Sequence, residues 1–332
     1  MKKILLFCVA LVLPFLMIGC GKYGEKDLIK DLSQKVEESK GYYLNGELEI
    51  MNNEESYLYD VEVSYSEGDK FKVSLKNKTN NHEQIILKNE EGVYVLTPSL
   101  NKSFKFQSEW PYNNSQSYLL QVIMKDINND NDKTFEEVEN GYVITSKANY
   151  SNNKDLVKQK LYVDKNGNFN KVEVVDQNNN VKIKMTFKTI DLNSTFNNDY
   201  FQLENCMSSA SVSEENIPAS NINEIIFPMY IPDDTYLYSQ NKVQLDEGER
   251  VILTFGGDKP FVLVQETTKK GNDLIIPVSG EPSMVLDTVG SLSESSVNWI
   301  SNGIEYYVSS SALTKQELLD VANSMGVMPV GK

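Results

Sequence analysis

Apolar residues recur at every second position over much of this chain, and this alternation constrains its fold more than any other feature. From Tyr57 to Tyr65, five aromatic or aliphatic residues occupy alternate positions, so an extended backbone places them on one face. Similar runs include Phe71–Leu75, Tyr94–Leu96, Phe104–Phe106, Leu156–Asp164, Lys171–Val175 and Val181–Phe187. Such alternation is typical of half-buried antiparallel strands, and Asn-Gly at 166–167 is a strong hairpin signal. The sequence therefore predicts an α+β fold that is mainly antiparallel β.

Three segments depart from this alternation and fit helices. Residues 25–40 repeat apolar positions at helical spacing, and Gly41 is expected to end that helix. Residues 115–125 fit a second helix. A third helix is predicted to begin at Thr314, because Thr314 and Glu317 match the Thr-x-x-Glu capping box. The stripe that this last helix should bury is Leu318, Val321, Ala322 and Met325.

The chain is predicted to form two folded units. Residues 206–223 are rich in Ser, Asn and Glu and contain Pro218, which is typical of an interdomain linker. The preceding unit covers 25–205, and a smaller α+β unit follows at 224–332. The strands expected in this second unit lie at 250–255, 261–266, 274–278, 297–300 and 304–308.

Residues 1–19 have the pattern of a signal peptide. Two lysines precede an apolar run of about 15 residues, whereas a membrane-spanning helix needs roughly 20. The run closes in Leu16-Met17-Ile18-Gly19-Cys20, which resembles the lipobox of bacterial lipoproteins. We predict cleavage after Gly19, acylation of Cys20 and a lipidated tether at 20–24.

Lipid on Cys20 would hold the protein on the outer face of the cytoplasmic membrane, or in the envelope of a forespore or spore. Two or three acyl chains make such an anchor stable. Two alternatives are an ordinary secretory signal with an incidental cysteine and an uncleaved membrane anchor. The body cannot supply the attraction, because a net charge of −15 repels anionic headgroups and phosphate backbones. Nucleic acid is therefore excluded as a partner.

Catalytic and metal-binding patterns are weak. After removal of the signal peptide and acylation of Cys20, Cys206 has no intramolecular mate, and we interpret it as a packed thiol. His82 is the one histidine, and we interpret it as a solvated loop residue. Asp126 to Glu137 falls near the register of a calcium loop, but Asn131 replaces the expected glycine, so we favour a solvated loop. We predict a non-enzyme without cofactor or metal.

The alternating aromatic residues could line a pocket for an apolar ligand on the concave face of a curved sheet. The competing interpretation, which we favour, is that these side chains fill the core. The candidate ligand-binding residues are Tyr57, Tyr59, Tyr65, Phe71, Tyr94, Phe104, Phe106, Leu119 and Ile123.

Residues 25–205 resemble the LolA-like lipoprotein carriers, on the pattern of strands 161–164, 172–176, 185–187 and 201–203. Leu96–Phe106 with Trp110-Pro111-Tyr112-Asn113 is similar to sporulation and germination lipoproteins of spore-forming Firmicutes, of the YdcC and GerS-related kind. The two-unit layout resembles RseB-like regulators. These resemblances imply a curved half-barrel with covering helices, and a spore-envelope binding protein whose partner could be a cell-wall amidase. Because LolA-like carriers are soluble shuttles, an acylated chain departs from that pattern.

Three hypotheses follow from these observations. The first is a membrane-tethered binding protein for an envelope protein, and the second is a lipid or acyl-chain carrier that uses the half-barrel. A cell-wall enzyme ranks last. A partner binder should expose an apolar patch, a lipid carrier should contain an unfilled apolar cavity, and an enzyme should gather titratable groups in a cleft.

Overall fold

The computed structural model describes residues 24–52, 55–151, 153–197, 199–209, 221–269 and 275–327. The predicted signal peptide 1–19, the lipidation site Cys20 and the tether up to residue 23 lie outside the described residues. Among the residues that are described, no helix combines the length and the apolar character that crossing a membrane requires.

The described residues form four α-helices and 21 strands. The helices are α1 (Glu25–Glu37), α2 (Leu120–Asn129), α3 (Leu203–Ser209) and α4 (Lys315–Asn323). The strands of the N-terminal part are β1 (Gly41–Asn52), β2 (Glu55–Ser66), β3 (Lys70–Asn77), β4 (Glu83–Asn89), β5 (Gly92–Thr97), β6 (Lys102–Phe106), β7 (Thr134–Val138), β8 (Gly141–Lys147), β9 (Lys158–Asp164), β10 (Phe169–Val175) and β11 (Val181–Asp191). The remaining strands are β12 (Ile226–Pro228), β13 (Thr235–Gln244), β14 (Glu249–Gly257), β15 (Phe261–Thr267), β16 (Ile275–Val278), β17 (Glu281–Val285), β18 (Thr288–Leu292), β19 (Ser296–Ser301), β20 (Ile304–Ser309) and β21 (Met325–Val327).

Twelve strands form one open, curved sheet in the order β16-β6-β5-β4-β3-β2-β1-β11-β10-β9-β8-β7. We call it the large sheet. Its neighbours pair antiparallel, apart from the parallel pair of β16 and β6. Long meanders on both sides of the central β1–β11 pair produce this order. The predicted mainly antiparallel α+β class is therefore confirmed.

Helices α1 and α2 pack over the concave face of the large sheet. The alternating residues of β2 point into this core, where Val61 and Val63 are fully buried, so the predicted common face is confirmed. Helix α1 ends at Glu37, earlier than predicted, because the chain must already turn into β1 at Gly41. Helix α2 starts at Leu120, five residues later than predicted.

The convex face of the large sheet carries a smaller apolar cluster. Phe201 and Cys206, from the segment around α3, cover side chains of β4 and β5. The prediction of Cys206 as a packed thiol is confirmed, since its side chain is fully buried. Most of the predicted linker 206–223 lies outside the described residues, at 210–220. At its described ends, α3 continues to Ser209 and Ile222 packs in the core of the second unit.

Seven strands form a second sheet in the order β13-β14-β15-β20-β19-β18-β17. Helix α4 and the β12–β21 pair pack with this sheet around a separate core that includes Trp299. The capping box at Thr314 and Glu317 is present in full, as predicted. The strand predicted at 274–278 forms as β16 but joins the large sheet, where Ile275 pairs with Ser103. The C-terminal part thus contributes one strand to the sheet of the N-terminal part.

Candidate functional site: a cavity between the two sheets

A cavity of about 450 Å³ lies between the concave face of the large sheet and helix α4 of the second unit. Its volume falls within the range typical of small-molecule sites. Strands β1, β2, β4, β11, β17 and β18, helix α4, and the segments before α2, after β8 and between β12 and β13 supply the residues that line it. The lining residues are Leu48, Ile50, Met51, Tyr57, Ile86, Trp110, Asn114–Tyr118, Tyr150, Asn153, Asp155, Leu156, Lys182, Ile183, Tyr230, Pro282–Met284, Leu286, Val289, Gln316, Leu319, Asp320, Asn323 and Ser324.

The apolar wall of this cavity follows from strand alternation. Tyr57 and Ile50 are cross-strand partners on β2 and β1, and Ile183 on β11 pairs with Ile50 from the other side. Side chains of paired residues point to the same side of a sheet, so the three form a continuous apolar surface. All three are partly buried and border the large core.

Helix α4 presents two different stripes. Leu318, Val321 and Ala322 are buried in the core of the second unit. The residues at 316, 319, 320 and 323 follow the i, i+3, i+4, i+7 spacing, so they share another face, which is the one that lines the cavity. We therefore assign Gln316, Leu319, Asp320 and Asn323 to the site.

The loop before α2 is held in place by two asparagine-centred contacts. The Oδ1 atom of Asn114 accepts hydrogen bonds from the backbone and hydroxyl of Ser151, at 2.9 and 2.7 Å. Its Nδ2 atom donates to Oε2 of Glu281 at 2.9 Å, and Asn113 donates to the same oxygen. Burial raises the pKa of Glu281 above its ordinary value. The contact ties this loop to β17 of the second unit and forms one side of the cavity.

Gln84 of β4 joins the large sheet to β18 of the second unit. Its Oε1 atom accepts hydrogen bonds from Val289 N at 2.6 Å and Thr288 Oγ1 at 2.8 Å, and its Nε2 atom donates to Val289 O at 3.1 Å. All three groups are buried. This buried glutamine satisfies backbone groups of the other unit and holds Val289, which lines the cavity, against β4.

The loop between β3 and β4 packs against the second unit next to Gln84. Asn80 donates a hydrogen bond to Asp287 at 3.0 Å. His82 lies half-buried in the same small cleft, which contradicts its interpretation as a solvated loop residue. Burial lowers the pKa of His82, against the opposing effect of Asp287 and Glu83. The error arose because the second unit, which covers this loop, is distant in sequence.

The nine predicted ligand-binding residues are distributed over several environments. Tyr57 lines the cavity. Phe104 and Phe106 border a much smaller crevice beside β18. Tyr94 lies on the convex face, so its placement on the concave face is wrong. The other five belong to the core on the concave side, where they are buried or partly buried and do not line the cavity: Tyr59, Tyr65, Phe71, Leu119 and Ile123.

The calcium-loop register does not correspond to one loop. Asp126 lies on α2 and accepts a hydrogen bond from Ser115 at 2.6 Å, while Glu137 lies on β7. Asp130 accepts the backbone N–H groups of Asp132 and Lys147, and these bonds outweigh burial and lower its pKa. Within the described parts of the chain, His, Cys, Asp and Glu side chains form no group of three that could hold a metal ion.

Comparison with known proteins gives two consistent matches. The model of the family described as sporulation protein YdcC-like matches residues 1–201. The sporulation protein YdcC of Bacillus subtilis (strain 168) is 33% identical over 327 residues, which cover 98% of this chain and 97% of that protein. The chain belongs to the YdcC-like sporulation protein family. The family predicted from the 96–113 segment is confirmed.

Solved structures with a similar chain path share little sequence with this YdcC-like protein. The MucA/MucB complex of Pseudomonas aeruginosa matches with 10% identity over 92% of this chain and 99% of the matched chain, at a TM-score of 0.32. The CwlD amidase of Clostridioides difficile in complex with the GerS lipoprotein matches with 17% identity, 51% and 95% coverage and a TM-score of 0.31. A LolA superfamily protein from Nitrosomonas europaea matches with 11% identity, 53% and 98% coverage and a TM-score of 0.29.

The second unit of this YdcC-like chain also carries an exposed apolar surface. Of the nine large apolar side chains that are exposed among the described residues, eight follow residue 228. Four of them lie on β13, the outermost strand of the second sheet: Tyr236, Leu237, Tyr238 and Val243. We call these four residues the β13 surface. No strand is predicted at β13 from the sequence, although its Tyr-Leu-Tyr run favours one.

Proposed function

We propose that this YdcC-like chain is a non-catalytic binding protein of sporulation that recruits an envelope protein through the β13 surface. Lipid on Cys20 holds it on the outer face of the cytoplasmic membrane in this proposal. The observation that carries the proposal is the exposure of Tyr238, at 73%, and of Tyr236, Leu237 and Val243 on the same edge strand. Exposed apolar patches of this kind are usual at protein–protein interfaces.

The edge position of β13 indicates how the partner would bind. The strand is ten residues long and pairs only with β14 among the described strands, so its other side presents backbone N–H and C=O groups. Such an edge accepts an additional strand, whose alternate side chains contact the exposed aromatic rings. We therefore expect the partner to contribute an extended, apolar segment.

Charge indicates the chemistry of that segment. Exposed carboxylates stand at both ends of β13, at Asp233 and Asp234 before it and at Asp246 and Glu247 after it. The net charge of −15 adds a long-range repulsion against acidic proteins and against a second copy of this chain. The partner strand should therefore carry lysine or arginine beside its apolar residues. A cell-wall amidase is the class of enzyme that the sequence resemblance implies.

The test is capture of the partner from sporulating cells by crosslinking, with mass spectrometry of the proteins recovered. Tyr238→Asp should abolish recovery of a specific envelope protein that wild type captures in stoichiometric amount. Tyr307→Asp is the matched control, because Tyr307 is also an exposed aromatic residue but lies on β20 inside the sheet. Equal recovery with both variants would contradict binding at the β13 edge.

The membrane anchor is tested separately. Cys20→Ala should move the protein from the membrane fraction to the soluble extracytoplasmic fraction. Retention of this variant on membranes after a high-salt wash would show that lipid on Cys20 is not the anchor.

A second candidate function is lipid or acyl-chain binding, and the cavity between the two units favours it. Its apolar wall of Tyr57, Ile50 and Ile183 would contact the chain. Extraction and mass spectrometry of lipids from the purified native protein test this function. Stoichiometric lipid, combined with no captured protein, would replace the first proposal by the second.

A further inference from the structure

One wall of the cavity gathers hydrogen-bond acceptors. Gln316 Nε2 donates to Asp320 Oδ1 at 2.9 Å, and this bond fixes the amide so that its Oε1 atom is free. That Oε1 atom is buried and accepts no hydrogen bond from any described residue. Asp155, from the loop after β8, lines the same cavity and lies close enough to Asp320 to repel it. The wall thus presents one neutral and two anionic acceptors.

The opposite side of the cavity does not neutralise this wall. Lys182 on β11 is the one cationic residue among the lining side chains, and its Nζ atom lies 3.8 Å from Asp176, which already pairs with it. Asn323 Oδ1 accepts a hydrogen bond from the backbone N–H of Leu286 at 3.0 Å, which holds the end of α4 against the loop between β17 and β18. Among the lining residues, Gln316, Asp320 and Asp155 therefore face no cation other than Lys182, which pairs with Asp176.

Apolar surface lies directly beside these acceptors. Leu319 stands between Gln316 and Asp320 on the same helical face, and Ile183 and Tyr57 border the far side of the cavity. A buried acceptor without a donor is costly, and it favours a ligand that supplies an N–H group. Carboxylates strengthen that preference when the donor is a cation.

We infer that the cavity binds an amphiphilic cation, namely an ammonium or guanidinium group joined to an apolar body. The cationic group contacts Gln316 Oε1, Asp320 and Asp155, and the apolar body contacts Leu319, Ile183 and Tyr57. This inference rests on the second candidate function, whose ligand class it names. It is independent of the β13 surface.

The ionisation of Asp320 agrees with this assignment. Burial raises the pKa of Asp320, and the neighbouring charges of Asp155 and Glu317 raise it further. Asp320 is therefore a carboxylate whose charge its described neighbours compensate poorly. A bound cation relieves this repulsion, so ligand binding should lower the pKa of Asp320.

Three detergents with the same apolar tail separate the contributions of tail and head group. Decylammonium, decyl sulfate and decyl maltoside are titrated into the full-length mature protein below their critical micelle concentrations, with isothermal titration calorimetry as the readout. Decylammonium should bind about tenfold tighter than decyl maltoside, which corresponds to one added charge-assisted hydrogen bond. Decyl sulfate should bind most weakly. A lysine peptide, acetyl-Leu-Lys-Leu-amide, distinguishes the source of the cation, since tighter binding than decylammonium assigns it to a polypeptide side chain and weaker binding to a small amphiphile.

Variants locate the cation. Asp320→Asn and Asp155→Asn should each weaken decylammonium binding about tenfold and leave decyl maltoside binding unchanged. Asp246→Asn removes an exposed carboxylate outside the cavity and is the matched control.

Equal affinities for the three detergents would overturn the inference and leave the second candidate function standing. If none of the probes binds, both fail. Unchanged decylammonium affinity in Asp320→Asn and Asp155→Asn, with both variants folded by circular dichroism, would also overturn the inference.

Discussion

The edge strands of the two sheets differ in how well they are protected from pairing with another chain. One edge of the large sheet is β16, a strand of four residues from the C-terminal part that covers β6, and the other edge is β7, which is short and carries Glu136 and Glu137. Edge strands that are covered, short or charged resist pairing with another chain. The edge β13 of the second sheet is ten residues long, and Lys242 is its one charged residue. Its aromatic side chains are exposed, so the molecule protects both edges of the large sheet and leaves β13 available.

Substitution of a buried leucine in the large sheet and of an exposed leucine on β13 should give the largest difference in the free energy of unfolding. Leu44, on β1 in the large sheet, is fully buried, whereas Leu237 on β13 is 41% exposed. Leu44→Ala should lower the free energy of unfolding by about 3 kcal/mol because it leaves a cavity in the core. Leu237→Ala should change it by less than about 0.5 kcal/mol.

Urea unfolding followed by tryptophan fluorescence measures this pair of variants. The chain has two tryptophans, Trp110 against the large sheet and Trp299 in the second core. A Trp299→Phe background makes Trp110 report on Leu44→Ala, and a Trp110→Phe background makes Trp299 report on Leu237→Ala. A large loss of stability in Leu237→Ala would show that the Leu237 side chain stabilises the fold. It would contradict the claim that β13 is an edge left available for a partner.

Loss of the Gln84 contact between the two units should cause the next largest change in the free energy of unfolding. Gln84→Ala removes the partner of two donors and one acceptor that are buried at β18. We expect a loss of about 2 kcal/mol, because unsatisfied buried polar groups are costly. Gln240→Ala, at an exposed position of β13, is the control. If Trp299 fluorescence reports no difference between the two variants, Gln84 does not couple the sheets.

Ionisation of Asp320 should have a smaller effect. A carboxyl with a raised pKa in the folded state contributes stability below its ordinary pKa, and this contribution is lost as pH rises through the folded value. Asp320→Asn should therefore stabilise the protein at pH 7, by less than about 1 kcal/mol because the side chain is partly solvated. The gain should vanish in acid, where Asp320 is protonated. Thermal unfolding at both pH values measures this, and destabilisation at pH 7 would show that the carboxylate is needed structurally.

Protonation of His82 should have the smallest effect. The folded state lowers the pKa of His82, so its contribution to stability is present above the ordinary value of 6.5 and is lost as pH falls through the folded value. The cost comes from burial of the imidazolium, which should weaken the packing of the loop between β3 and β4 against the second unit although Asp287 attracts the charge. His82→Gln should remove this part of the pH dependence, which amounts to less than about 1 kcal/mol. An unchanged pH profile of Trp299 unfolding in His82→Gln would exclude His82 as its source.

The predictability of individual strands depended on whether one or both of their faces are buried. On β2, polar residues alternate with Val61 and Val63, so the inward face could be identified from the sequence. On β5, Tyr94 stands between Val93 and Val95, and both faces of the strand are buried. Because β5 has no polar face, its sequence does not show which side chains point to the concave side, and Tyr94 was assigned to the wrong side.

The sequence by itself determined the strand-rich class, the helix cap at Thr314 and the family, because each depends on residues close together in the chain. Only the tertiary structure decided the position of β16, the burial of His82 and the cavity at α4. Each of these results from contact between segments that are far apart, such as the 205 residues that separate Gln84 from Val289. The pairing of such segments depends on how whole surfaces fit, and no local pattern encodes that fit.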